Sequence, residues 1–101
     1  MGRATRETID IENSGGTVEL ETAGATIVSV HIRGDASATY QWDVKRPRDS
    51  SWIQDADSEY SGSADYDDVF ETGVAEVRIR CATGTGGSGD TADILLSAGG
   101  G

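Results

Sequence analysis

The residues that could bind a metal ion are concentrated in one acidic stretch of this sequence. Residues 55–68 read DADSEYSGSADYDD and contain six carboxylates. Calcium sites use oxygen ligands at close, regular spacing around a glycine turn. The calcium-loop pattern D-x-[DN]-x-[DN]-G is missing from this stretch, so a hydrated acidic loop is the favoured interpretation. Asp65, Asp67 and Asp68 are the candidates for a loosely held cation.

A second stretch matches a nucleotide-binding pattern. Residues 84–89 read GTGGSG, which has the spacing of the G-x-G-x-x-G fingerprint. That fingerprint needs a strand before it and a helix after it, because the pyrophosphate binds at the helix N-terminus. Residues 91–98 alternate as a strand does, so we interpret the stretch as a flexible hairpin loop. No cofactor is predicted.

Groups for catalysis are scarce. His31 is the only histidine and Cys81 the only cysteine. One histidine makes a poor zinc site. Cys81 falls on the apolar side of its predicted strand, where a free cysteine behaves as a small hydrophobic residue. No catalytic arrangement can be assigned, and the sequence favours a protein that is not an enzyme.

Several residues could contact a partner or a glycan. Trp52, Tyr60 and Tyr66 lie in an acidic, loop-rich region, where exposed rings could stack on sugars or close the open end of a β-sandwich. Arg78 and Arg80 point outwards from a predicted strand, where they could form cross-strand ion pairs or meet a partner.

The tripeptide Arg33-Gly34-Asp35 is known as an integrin-binding signal. It lies between the two most regular predicted strands. Glycine and aspartate both tolerate the positive φ of a tight hairpin. We therefore interpret the tripeptide as a turn and not as a ligand.

The elements that position these residues are strands. Apolar and polar residues alternate over several segments, which indicates strands with one buried side. The clearest segments are residues 25–33, 36–45, 75–83 and 91–98. Turn signals separate the predicted strands, and antiparallel pairing is favoured because most of the links are too short for crossovers. The sequence predicts an all-β protein, a single antiparallel β-sandwich or jelly-roll-like domain of about seven to nine strands.

We divide the chain into two parts. Residues 1–22 are expected to form an N-terminal arm or the first strands, with a docking role, and residues 23–101 the β-sandwich. The N-terminal residues contain no apolar run typical of a signal peptide, so synthesis in the cytoplasm is expected. No segment approaches the roughly 18 apolar residues of a membrane span.

The charge balance excludes some partners and indicates an environment. The net charge is −10, eleven of the 18 acids are aspartates, and Lys45 is the only lysine. An acidic surface argues against nucleic-acid binding, which needs a basic stripe. The one basic cluster, residues 45–48, is flanked by aspartates. This composition resembles that of proteins from extreme halophiles, in which molar salt screens repulsion between surface acids.

The order of segments resembles that of a group of viral proteins. The stretches ASATYQWDVKRPRDSSW, YSGSADYDDVFETG and AEVRIRCATGTGG, followed by TADILLSA, give a strand, a turn, a tryptophan, a glycine-rich loop and a final strand. This order is similar to that of small β-sandwich decoration and adsorption proteins of archaeal and bacterial tailed viruses.

The resemblance implies a non-enzymatic virion protein, a capsid decoration or head-associated component of a haloarchaeal tailed virus. It implies no catalytic residue. The expected partners are the major capsid protein or other virion proteins and further copies of this chain. A carbohydrate-binding or host-adsorption module is the alternative, with a glycan as its ligand.

Overall fold

The segments with alternating residues fold as strands whose apolar sides face one interior. The computed structural model describes residues 3–22, 24–46, 50–71 and 76–99. Within these ranges there are seven strands and no helix. The strands are β1 (Arg3–Asp10), β2 (Thr17–Glu21), β3 (Ile27–Arg33), β4 (Thr39–Lys45), β5 (Asp65–Glu71), β6 (Glu76–Thr83) and β7 (Thr91–Gly99).

The strands form two sheets. One has four strands in the order β1-β7-β3-β5, and the other has three in the order β2-β6-β4. All neighbouring strands within a sheet are antiparallel. Consecutive strands along the chain always lie in opposite sheets, which is the winding of a jelly roll. The prediction of an all-β, antiparallel, jelly-roll-like sandwich is confirmed.

The predicted hairpins are wrong. β3 and β4, which flank the Arg33-Gly34-Asp35 tripeptide, lie in different sheets, and so do β6 and β7, which flank residues 84–89. Turn-forming residues indicate that the chain reverses, but not which sheet receives the next strand. Packed sheets are about 10 Å apart, a distance that the link of residues 34–38 can span.

The core lies between the sheets and depends on aromatic rings. Trp42 stacks on Phe70 with ring centroids 4.8 Å apart, and Tyr40 meets Tyr66 edge-on at 6.0 Å. Large rings compensate for a hydrophobic content of only 36%, because each one buries a large apolar area. The buried hydrophobic residues are Ile9, Ile11, Val18, Leu20, Val28, Val30, Ile32, Ala38, Tyr40, Trp42, Val44, Phe70, Val77, Ile79, Cys81, Ala92, Ile94, Leu96 and Ala98.

The segment after β4 completes the three-stranded sheet. Ile53 forms an isolated bridge with Val44, and Tyr60 forms another with Tyr40. Each bridge contains two backbone hydrogen bonds of 2.7 to 3.0 Å. This segment therefore covers the free edge of β4 without being a regular strand. Residues 47–49, part of the basic cluster and its flank, lie outside the described ranges.

The described part of the N-terminal region belongs to the sandwich. β1 pairs with β7 along its whole length, and β2 pairs with β6. Ile9 and Ile11 are 8% and 0% exposed, so their side chains are part of the core. Residues 3–22 therefore include two strands of the sandwich. Their docking role stays a prediction.

Gly34 is required by a close approach and not by a left-handed backbone, since its φ is not positive. A Cβ at this position would lie 2.6 Å from the Tyr40 hydroxyl oxygen and 2.9 Å from the Ala92 Cβ. The neighbouring Asp35 carboxylate accepts hydrogen bonds from the Ser37 N–H and hydroxyl, at 2.9 and 2.7 Å. The tripeptide is thus built into a turn, as its interpretation from sequence requires.

Replacing Gly34 by alanine should destabilise the fold by about 1–3 kcal/mol, because the added methyl group overpacks this site. The double variant Gly34→Ala/Tyr40→Phe removes the clashing hydroxyl and should recover part of the loss. Gly99→Ala is the control, since a Cβ there meets nothing within 4 Å. Denaturant unfolding measures all three. A Gly34→Ala variant as stable as its control would show that the contact relaxes without cost.

Candidate interaction surfaces

An ionic cluster around a buried carboxylate lies on the outer face of the three-stranded sheet. Asp43 of β4 is 0% exposed. Its Oδ2 atom accepts hydrogen bonds from Nε of Arg78 at 2.7 Å and from Nε of Arg80 at 2.9 Å. Asp55 closes the cluster: its N–H donates to Asp43 Oδ1 at 3.1 Å, and its carboxylate accepts from Arg80 Nη2 at 2.7 Å. We call these four residues the Asp43 cluster.

The cluster keeps its charges in the folded state. Burial alone would raise the pKa of the Asp43 carboxyl, but the hydrogen bonds from Arg80, Arg78 and the Asp55 backbone outweigh it and hold that pKa below its usual range. The same Asp43 hydrogen bond raises the pKa of the Arg80 guanidinium. Asp43 therefore stays ionised at neutral pH, and Arg78 and Arg80 form the cross-strand pairs that were one of their two predicted roles.

Trp52 covers this cluster from outside. Its ring centroid lies 4.5 Å from the Arg78 guanidinium carbon and 5.1 Å from Lys45 Nζ, which are cation–π distances. Lys45 also pairs with Glu76 at 2.9 Å. The ring is half-buried, so it offers solvent a limited surface surrounded by charged groups.

Tyr60 and Tyr66 lie elsewhere, at the side of the sandwich where β4 and β5 end the sheets. Their ring centroids are 5.3 Å apart. The Tyr60 hydroxyl accepts from Trp42 Nε1 at 2.9 Å and donates to Asp68 at 2.8 Å. The structure therefore does not bring Trp52, Tyr60 and Tyr66 onto one surface. The two tyrosines close the open side of the core, which was the alternative prediction.

The three metal candidates also separate. Asp67 and Asp68 are consecutive in β5, so their side chains point to opposite sides of the sheet. Asp67 pairs with His31 and Arg33 on the outer face, whereas Asp68 accepts the Tyr60 hydroxyl. No group of three potential metal ligands forms among the described residues. Asp65, Asp67 and Asp68 therefore do not make a shared cation site.

The outer face of the four-stranded sheet is open and has a charged half. Arg6 of β1 holds Asp93 of β7 with two hydrogen bonds from Nε and one of 2.6 Å from Nη2. Asp67 pairs with Arg33 at 2.9 Å and also with the His31 ring. The hydrogen bond with His31, followed by that with Arg33, lowers the pKa of the Asp67 carboxyl.

The other half of this face has serine, alanine and aliphatic residues at its centre, and the Glu71 carboxylate of β5 lies at its border, opposite Ile27. Ser29 of β3 lies opposite Ser97 of β7 on one side and Val69 of β5 on the other. Ala4 of β1 lies opposite Ser97, and Ile27 is two residues from Ser29 on the same face. Val69 is 55% and Ile27 38% exposed. We call Ala4, Ile27, Ser29, Val69 and Ser97 the uncharged patch.

The glycine-rich stretch is hydrogen-bonded to the N-terminal region. Thr85 and Gly86 donate backbone hydrogen bonds to the carbonyl oxygens of Ile11 and Glu12, at 2.8 and 2.9 Å. The Thr85 hydroxyl donates to Asp90 at 2.6 Å. A strand follows, so a nucleotide-binding helix terminus is not formed. Local glycine content did not reveal these backbone contacts with a distant segment.

The single cysteine is part of the core. Cys81 is 0% exposed, and burial, followed by the nearby Asp10 charge, raises the pKa of its thiol. Its predicted position on the apolar side of the strand is confirmed. The described residues also contain no helix with the length and hydropathy needed to cross a membrane.

The Asp43 cluster is the feature that sequence reasoning missed. Alternation correctly places Asp43 on the outer face of β4, but it does not predict that Asp43 is buried and hydrogen-bonded to the Asp55 N–H. One signal was available: Arg78 and Arg80 are two of only eight basic residues and share one face of a strand. Such a pair in an acidic chain calls for a carboxylate on the neighbouring strand.

Comparisons with known proteins identify similar folds and no family. No protein family and no curated protein matches this sequence. Among solved structures, the SPBc2 prophage-derived protein YomS is similar with a TM-score of 0.62 and 15% identity, covering 98% of this chain and 96% of its own.

Two further structures are similar over nearly the whole chain. A mutant of a family 29 carbohydrate-binding module has a TM-score of 0.51 and 12% identity, covering 95% of this chain and 92% of its own. PliG of Aeromonas hydrophila, a periplasmic inhibitor of g-type lysozyme, has a TM-score of 0.51 and 11% identity, with coverages of 96% and 84%. Likeness at such identities shows the fold alone.

Replacing Asp43 by asparagine should destabilise the protein by about 2 kcal/mol at pH 7, because two arginines lose a buried anionic partner. Since the folded-state pKa of Asp43 is lowered, its stabilisation is present above the unfolded pKa of about 4 and is lost as pH falls through the folded-state pKa. The difference between wild type and variant should therefore shrink on acidification.

Asp65→Asn is the matched control, because it removes one charge from an exposed position. Urea unfolding at pH 7 and in steps below pH 4 separates the two effects. Equal destabilisation by both substitutions would contradict a special role for the Asp43 cluster.

Proposed function

We propose that this chain is a non-enzymatic structural protein of a virion, a capsid decoration or head-associated component of a haloarchaeal tailed virus, which binds the major capsid protein or another virion protein. The observation that carries the proposal is the uncharged patch on an open sheet face, in a chain of net charge −10. The likeness of the whole fold to a prophage-derived protein supports it.

The patch has the anatomy of a protein interface. Its centre is formed by serine, alanine and the exposed side chains of Ile27 and Val69. The ion pairs Arg6–Asp93 and Arg33–Asp67 lie beside it on the same face. An apolar centre with a polar rim is typical of binding surfaces between proteins. A sheet face of this kind suits the surface of another protein better than a small ligand, which requires a concave site.

The acidic composition supports a high-salt environment. In molar salt the Debye length is about 3 Å, so repulsion among surface carboxylates is strongly screened. Exposed ion pairs at an interface are screened as well, whereas apolar contacts are not. Uncharged contacts therefore keep their strength in such a medium, and the uncharged patch provides them.

The docking role predicted for the N-terminal region takes a specific form. Ala4 of β1 belongs to the uncharged patch. The N-terminal region would therefore contribute to docking as a strand of the sheet. Deletion of residues 1–16 would also remove Ile9 and Ile11 from the core. Point substitutions on the exposed face are therefore the proper test.

The double variant Ile27→Asp/Val69→Asp should weaken binding to capsids by at least about tenfold, equivalent to 1.4 kcal/mol, because it introduces charge into the patch centre. Co-sedimentation with undecorated capsids in about 3 M KCl measures the binding. Ile53→Asp is the control, since Ile53 is 48% exposed beside β4, away from the patch. Equal binding by the patch variant and wild type, or equal loss in the control, would refute the proposed surface.

A carbohydrate-binding function is the alternative, and Trp52 is the observation that favours it. Its half-buried ring is surrounded by Lys45, Glu76 and Arg78, which could donate or accept hydrogen bonds to a sugar stacked on the ring. The likeness of fold to a carbohydrate-binding module supports this reading.

If this alternative holds, Trp52→Ala should abolish binding on a glycan array. Tyr66→Phe should leave binding intact, because Tyr66 lies at the other side of β4 and packs on Tyr40 and Tyr60. Absence of any glycan signal from the folded wild type would exclude the alternative.

A further inference from the structure

The described strands leave three sheet edges open. The four-stranded sheet ends at β1 and β5, and the three-stranded sheet ends at β2 and β4. The free edge of β4 is covered by its bridges to Ile53 and Tyr60. An open edge presents unpaired N–H and C=O groups to which another strand can bind, unless its side chains prevent this.

Two of the open edges are protected by charge of one sign. Strand β5 carries four acids and β2 carries two, and neither carries a basic residue. Pairing either strand with its own copy would place carboxylates near carboxylates, which is destabilising. These edges therefore keep copies of the chain apart.

The edge at β1 differs, because it carries charges of both signs in a graded order. Its sequence RATRETID has Arg3 and Arg6 in the first half and Glu7 and Asp10 in the second. It also has no proline and no bulge in its pairing with β7. When such a strand pairs with its own copy in antiparallel fashion, the basic half of each strand faces the acidic half of the other.

We propose that a second copy of this chain binds at the β1 edge, so that two β1 strands pair antiparallel around a two-fold axis through Thr5. The axis is perpendicular to the sheet, because only this symmetry joins two identical edges and keeps each outer face on the same side. Opposed residues must point to the same side of the sheet, and side chains alternate along each strand, so the numbers of two opposed residues have an even sum. With Thr5 on the axis, Arg3 of each copy lies opposite Glu7 of the other.

This register is favoured by the groups that are available. Glu7 is exposed and makes no ion pair with any residue that the structure describes, so Arg3 of a second copy gives it a partner. Thr5 would face Thr5, a cross-strand pair that stabilises sheets. The competing register has Thr8 on the axis and pairs Arg6 with Asp10. Arg6 is already bound to Asp93 through both Nε and Nη2, whereas Arg3 is bound to Glu21 through a single hydrogen bond from Nη1, which leaves its other N–H groups for Glu7.

The dimer would join two four-stranded sheets into one continuous sheet. Both uncharged patches would then face the same direction, since the axis is perpendicular to the sheet. If the patch binds capsid as proposed above, the two sites would act together and raise the apparent affinity. The pairing itself does not depend on that function.

Disulfide trapping tests the register directly. Thr5→Cys places the two new thiols opposite each other, so mild oxidation should give a covalent dimer. Thr8→Cys is the control: each Thr8 lies three residues from the axis, so the two Cα atoms are about 20 Å apart. The native Cys81 does not compete, because it is buried.

Charge reversal tests the proposed ion pairs. Glu7→Arg puts Arg3 opposite arginine in both halves and should weaken dimerisation about tenfold. Arg3→Glu/Glu7→Arg exchanges the signs and should restore it. In the double variant the Arg3–Glu21 ion pair becomes two neighbouring carboxylates, which should cost little because both positions are mostly exposed. Light scattering over a concentration series measures the molecular mass of each variant and thus its fraction of dimer. The buffer contains the lowest salt concentration at which circular dichroism shows folded protein.

Selective trapping of Thr5→Cys together with rescue by the double reversal would support the proposal. A wild type that stays monomeric at every concentration would overturn it, as would equal trapping at both positions. Preferential trapping of Thr8→Cys would overturn the Thr5-centred register. None of these results depends on capsid binding, so the proposed function stands or fails separately.

Discussion

The strands that form the core of this domain, such as β3, β6 and β7, each have one apolar side that must be buried against the others. Alternate residues of a strand point in opposite directions, and only one set is apolar here. Winding the chain between two sheets at every link places all of these apolar sides in one interior. Because aliphatic residues are few, the Trp42–Phe70 stack and the tyrosine contacts fill the side of the sandwich next to β5. The positions of Tyr60 and Tyr66 follow from this need, since their rings and hydroxyl groups are used to close the core.

On the outer face of the smaller sheet, the Asp43 cluster attaches a loop segment to the strands. A buried ion pair is by itself poor evidence of stability, because desolvation can cancel its attraction. Here it has a specific geometric effect, since Asp55 contributes both its N–H and its carboxylate. The cluster thereby holds the segment after β4 against the sheet, and Trp52 packs over it. Buried pairs are screened by salt much less than exposed ones. In a high-salt medium, this cluster would keep its strength while the exposed pairs lose most of theirs.

The parts of the structure that sequence could predict are those fixed by local alternation. The long strands around Tyr40, Ile79 and Ile94 were predicted because each repeats apolar residues at every second position. Strand partners were not predictable in this way. Gly34-Asp35 and residues 84–89 signal turns, but the next strand joins the opposite sheet, which depends on how the whole interior is covered. The site residues divide similarly. Arg78 and Arg80 were correctly placed facing outwards, while the burial of Asp43 depends on Asp55, twelve residues away in sequence.

The charge pattern explains where this molecule could associate at all. A net charge of −10 opposes contact between copies, and the acidic edges of β2 and β5 strengthen that opposition locally. Association is then restricted to places where charge is absent or changes sign. The described residues offer both on the four-stranded sheet: the uncharged patch, to which β1 contributes Ala4, and the β1 edge, where Arg3 and Glu7 carry opposite signs. The outer face of the smaller sheet is instead occupied by its own Asp43 cluster and Trp52. With the apolar sides buried in one interior, the larger sheet is the surface that we propose for partners.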